Sequence, residues 1–144
     1  MPVLMLAGSG IAVAMAFLMV VVLDQDGGPP TRHVALPPVA AGPRQVVQVY
    51  LEALEAKDFD TADELISQSA GDDFQPWFSE SPDISNVKVG RSVGNSAVGE
   101  VYVEAFFDVE GADVSLPDGP TTWGFMLERV SGSPRWLIYD QGTG

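Results

Sequence analysis

A chain of 144 residues without cysteine has room for one domain and excludes disulfide staples, thiolate metal sites and thiol nucleophiles. Twenty acidic residues against seven Lys and Arg give a formal net charge of −13, a sign that repels phosphate backbones and excludes nucleic-acid binding. The carboxylates alternate with apolar residues instead of forming a tail, so they read as the solvated surface of a folded unit.

The first element in chain order is an apolar run, Val3 to Leu23, with no charged side chain and Ser9 as its polar residue. As a helix this run reaches about 30 Å, the thickness of a bilayer core. Asp24 and Asp26 end it, and Gly27-Gly28-Pro29-Pro30 forbids its continuation. A cleaved signal peptide fits less well, because no basic residue precedes the run and the nearest small-x-small site, around Ala40-Ala41, is distant. Residues 1–23 are therefore expected to form a transmembrane anchor. Gly8, Ala12 and Ala16 lie on one stripe of it, where two such helices can approach closely. Arg32 and Arg44 follow the run, which by the positive-inside rule favours a cytoplasmic domain. A short anchor, a proline-rich spacer and an acidic, lysine-poor domain together form the pattern of extracytoplasmic bacterial proteins. The expected location is the cell membrane, single-pass, with the domain outside.

Residues 24–42, rich in proline and glycine, are expected to be a stalk. The one histidine, His33, falls in it and is assigned no catalytic role. Residues 43–144 form the expected acidic domain. Pro43 suits the first position of a helix, whose buried face is Val47, Tyr50, Leu51 and Leu54. Asp60 can cap a second helix with Ala62, Leu65 and Ile66 inward, and Asp73 a short third with Phe74, Trp77 and Phe78 on one side.

The period then changes to two. Val87, Val89 and Val93 alternate with Lys88 and Ser92, and Gly94-Asn95 offers a turn. In residues 98–109, Val101, Val103, Ala105, Phe107 and Val109 share one face; Glu100, Tyr102, Glu104, Phe106 and Asp108 share the other. Thr121 to Val130 reads as a third strand with Trp123, Phe125 and Leu127 inward, and Arg135 to Asp140 as a fourth. The expected fold class is α+β: an N-terminal transmembrane helix, then two or three helices packed on a curved antiparallel meander of about four strands.

The opening pattern Val47-x-x-Tyr50-Leu51-x-Ala53-Leu54-x-Ala56-x-Asp58, then Ala62-x-x-Leu65, resembles the start of the nuclear transport factor 2-like superfamily. The closing Trp136-Leu137-Ile138-Tyr139-Asp140 is similar to the last strand of its small membrane-anchored bacterial members. The resemblance spans about residues 43–140. It implies a cone-shaped sheet around a helix, often dimeric, on which enzymes, binders and scaffolds all occur.

Enzymes of that type place a buried Asp or His in the cone, and residues 43–144 hold no histidine. Asp108, Glu128 and Asp140 read as solvent-facing strand carboxylates. Glu100, Glu104 and Asp108 step along one strand face at about 13 Å, too wide for a paired-carboxylate site. Asp58, Asp60, Asp63 and Glu64 lack the glycine and the bidentate glutamate of a calcium loop. No catalytic residue, metal site or cofactor is expected. Two candidate sites remain. One is a partner face made of Glu100, Tyr102, Glu104 and Phe106, with large aromatics among acids on the side opposite the apolar one. The other is an apolar pocket lined by Tyr50, Trp77, Phe78, Phe107, Trp123 and Phe125. The expected function is a membrane-anchored, non-enzymatic envelope domain that binds a protein partner or dimerises. The alternatives are a small apolar-ligand binder or an isomerase- or dehydratase-like enzyme using the cone, and a structural subunit of a conjugation- or secretion-type complex.

Overall fold

The computed structural model describes residues 32–70, 82–95, 98–112, 116–129 and 133–143. Helix α1, Pro43–Glu55, starts with proline at its first turn, where the missing N–H leaves no bond unmade. It buries Val46, Val47, Tyr50, Leu51, Ala53 and Leu54. Lys57 then takes a left-handed turn (φ 59°), and its ammonium ties the turn to Pro82 O at 2.6 Å and Asp83 at 3.0 Å. Asp58, rather than Asp60, caps the five-residue helix α2, Phe59–Asp63, by accepting from Thr61 N. The chain passes through a short 3-10 turn, Gln68–Ala70, before the sheet.

Four strands follow: β1, Asp83–Asn95; β2, Glu100–Glu110; β3, Gly119–Glu128; and β4, Leu137–Thr143. They pair antiparallel in the order β1-β2-β3-β4. Ile66 adds an isolated parallel bridge to Ile138, closed by Ser67 N to Ile138 O and Ile138 N to Leu65 O. One face of the sheet carries Val101, Val103, Ala105, Phe107, Val109, Trp123, Phe125, Leu127 and Ile138, all buried together with the apolar side of α1. Tyr50 meets Phe125 edge-on at 5.8 Å. Trp136 closes the end of this core, with the Arg129 guanidinium 4.8 Å above its ring.

The expected architecture is corrected in two respects. Among the described residues no helix is long and apolar enough to cross a membrane; the expected anchor, Val3–Leu23, lies outside the described residues. The expected layer of two or three helices on the sheet is also replaced. Only α1 packs extensively against the strands, whereas α2 packs on α1. The reason is local: the left-handed Lys57 turns the chain, and α2 buries only Thr61 and Ala62, with Phe59 half-buried against the core. The third helix predicted around Asp73–Phe78 lies outside the described residues. The stalk expected over residues 24–42 lies outside the described residues as far as residue 31. Pro37 and Ala41 are buried, and Val34 is hydrogen-bonded to α2 through both its N–H and its carbonyl.

Strand β1 departs from simple alternation. Its pairing with β2 slips by one residue between Ser85 and Lys88 and again between Val89 and Ser92, two β-bulges. Asn86 supplies the left-handed conformation (φ 55°) at the first. The second returns Val93 to the outer face opposite Tyr102, 64% exposed, where plain alternation predicts it inward.

Inside the core, the Tyr50 hydroxyl and the Gln141 amide face each other without closing a hydrogen bond of ordinary geometry. Burial pushes the phenol pKa up, an effect that Gln141 partly opposes and Asp63 reinforces. Removing a buried, unpaired hydroxyl relieves a desolvation cost. Tyr50→Phe is therefore expected to leave stability unchanged or to raise it by up to about 1 kcal/mol, as read from urea unfolding midpoints.

Candidate functional site

Among the described residues, no helix packs on the face of the sheet turned away from α1. The middle of this face is β2, where alternation drives Val101, Val103 and Ala105 into the core and thereby aims Tyr102, Glu104 and Phe106 outward. Glu100 is exposed, Tyr102 and Glu104 are half-buried, and Phe106 is 41% exposed. The four residues predicted as a partner face thus occupy one side of one strand. Of those predicted as an apolar pocket, Tyr50, Phe107, Trp123 and Phe125 are packed into the core, and Trp77 and Phe78 lie outside the described residues.

Two glycines determine how the outer aromatics lie. Gly124 on β3 is directly opposite Glu104. A Cβ there would come within 2.5 Å of Tyr102 Cε2 and 2.7 Å of its Oη, so the Tyr102 ring covers the bare backbone of β3. On the other side, a Cβ at Gly90 would lie 3.6 Å from Glu104 Cβ and 3.4 Å from Phe106 Cε2. The Phe106 ring therefore leans over β1. Both rings lie along the sheet, one on each side of Glu104. Sequence reasoning missed both glycines, although a glycine inside a strand pattern signals close approach of another group.

Beyond Phe106 the face sinks into a shallow depression of about 390 Å³, lined by Asn86, Lys88, Phe106, Asp108, Pro120 and Thr122. Asn86 Nδ2 donates to Asp108 at 2.6 Å across the first bulge. At the opposite end, Glu128 accepts from the hydroxyls of Ser67 and Ser69, tying the 3-10 turn to β3. Burial raises the Tyr139 pKa, and Glu100, Glu128 and Asp140 raise it further. The face carries a negative field.

Histidine is less isolated than its sequence position suggests. His33 Nδ1 is 3.0 Å from Asp58, although the imidazole is 69% exposed. Asp58 also accepts from Val34 N at 2.8 Å and Thr61 N at 3.3 Å. The Thr61 hydroxyl lies 2.8 Å from the carboxylate and 3.1 Å from the Val34 carbonyl, so it can donate to one at a time. Burial works to raise the Asp58 pKa, but the Val34 amide, the Thr61 hydroxyl and amide, and His33 outweigh it and hold the carboxyl below its ordinary value. A histidine from outside residues 43–144 thus pairs with a carboxylate that is committed to holding residues 33–34 and capping α2. Among the described residues no cluster of His, Cys, Asp and Glu could hold a metal ion.

No known protein family matches the chain, and no curated protein matches it. Among solved structures it is similar to a SEC-C motif containing protein from Rhodopseudomonas palustris, determined in solution. The TM-score is 0.57 at 18% identity, over 73% of this chain and 80% of that one. The expected kinship with the nuclear transport factor 2-like superfamily is thereby corrected. Val47, Tyr50, Leu51, Leu54, Trp136 and Ile138, which carried that resemblance, are core residues, and their pattern reports packing rather than ancestry. At 18% identity the likeness to the SEC-C motif protein is one of fold.

Proposed function

We propose that this chain is a non-enzymatic interaction domain that receives a protein partner on its open sheet face. The carrying observation is Phe106, a large aromatic 41% exposed at the centre of a face that also presents Tyr102 and Val93. Exposed aromatics grouped on one flat surface are the composition of binding patches. Asp58 is occupied with structural bonds, which supports a binding role over an acid–base one.

The test is chemical crosslinking and pull-down with the full-length chain in native extracts, comparing wild type with Tyr102→Ala and Phe106→Ala. Truncating a central aromatic anchor is expected to cost about 2 kcal/mol of binding, a roughly thirtyfold loss of partner recovery at limiting concentration. Equal recovery by the double variant removes this face from the proposal. A crosslinked product at twice the chain mass identifies the partner as a second copy.

A further inference from the structure

We infer that Tyr102, Glu104 and Phe106 form a seat for a lysine or arginine side chain of the partner; this rests on the interaction reading above and specifies its chemistry. Glycines on both flanking strands, Gly90 and Gly124, leave room beside Glu104 that the two aromatic rings fill. Glu104 lies between the two rings along β2. An ammonium or guanidinium is drawn by the negative face of an aromatic ring and by the carboxylate at once.

The surroundings favour the same occupant. By pairing register, Glu100, Glu104 and Asp108 on β2 share the open face with Glu128 on β3 and Asp140 on β4, against Lys88 on β1 and Arg91 in the second bulge opposite Glu104. Among the described residues the ion pairs are His33–Asp58 and Lys57–Asp83, and neither involves Glu104. The cation stacked on a ring, among the described residues, is Arg129, on Trp136. A second copy docked face to face would set like charges against like, in a chain of net charge −13. The seat therefore selects a basic partner over self-association.

The probe is a capped pentapeptide alternating valine and lysine, titrated into the isotope-labelled full-length chain at low salt and followed by amide NMR shifts. A peptide with norleucine for lysine is the control. Saturable shifts are expected at Gly90, Tyr102 to Phe106 and Gly124 with the lysine peptide and not with the norleucine one. Phe106→Leu keeps the apolar bulk and removes the π-face, and is expected to weaken binding about two- to fivefold. Glu104→Gln is expected to weaken it about threefold or more at low salt, an effect that fades in high salt. Glu55→Gln, an exposed carboxylate on α1, removes the same charge elsewhere and is expected to leave binding unchanged. Equal weakening by Glu104→Gln and Glu55→Gln, an unchanged Phe106→Leu, or binding of the norleucine peptide each overturns the seat. If partner recovery still depends on Tyr102 and Phe106 while the lysine peptide fails, the interface stands and the seat falls. A Glu104-dependent lysine site with unaltered partner recovery separates them the other way.

Discussion

Asp58→Ala is expected to remove about 3 kcal/mol of folding stability, because one carboxylate serves as helix cap and as anchor for the preceding segment. Losing a cap costs about 1 kcal/mol, and leaving buried amides without an acceptor costs about 1–3 kcal/mol more. The buried Thr61 N–H is the cap donor, the part-buried Val34 N–H loses its acceptor as well, and the residue being changed is only 5% exposed. Residues 33–42 should loosen with it, so trypsin is expected to cut after Arg32 and Arg44 faster than in the wild type. The pH dependence has a defined sign. The folded carboxyl titrates below its ordinary value, so its contribution is complete above the unfolded pKa and is lost as pH falls through the folded one. Urea unfolding at pH 7 and at pH 3 should show wild type losing the advantage that Asp58→Asn never has. Equal acid sensitivity in the two proteins would contradict the clamp.

Gly124→Val is the second large effect. Its Cβ alone would meet Tyr102 Cζ at 2.9 Å, Oη at 2.7 Å and Cε2 at 2.5 Å, and two methyl groups add to the collision. The ring is the movable party, so it should be lifted off β3 and the strands should stay paired. Overpacking of this kind costs about 1–3 kcal/mol. Because Tyr102 bears the clash, the double variant Gly124→Val with Tyr102→Ala should recover most of the loss, and a double-mutant cycle measures that coupling. Additive effects would show that Tyr102 does not rest where the sheet places it. Partner recovery should fall in Gly124→Val, since the ring leaves the flank of Glu104.

What could be read in the residues was periodicity, and what could not was contact. Val101, Val103, Ala105, Phe107 and Val109 alternate without a break, and that pattern alone turns Tyr102, Glu104 and Phe106 to the opposite side. The same rule misplaces Val93, because a bulge adds one residue to β1 without marking the alternation. His33 and Asp58 meet only because the turn at Lys57 and the run of residues 33–42 bring together positions far apart in the chain. The flanking of Glu104 by Gly90 and Gly124 needs the register of three strands, which no local pattern encodes. The superfamily resemblance failed for a related reason. Helix and strand positions that fill a core constrain shape and size, and unrelated chains satisfy them alike.

The bridge from Ile66 to Ile138 has a consequence for biosynthesis. The meander can zip up hairpin by hairpin as the chain leaves the ribosome, but the segment after α2 must wait for β4, the last strand of the sheet. Helix α1 lies mainly against β1, so much of its apolar face can be covered before that bridge closes. Closure joins the segment before β1 to the last strand of the sheet, so this step is non-local and slow in folding.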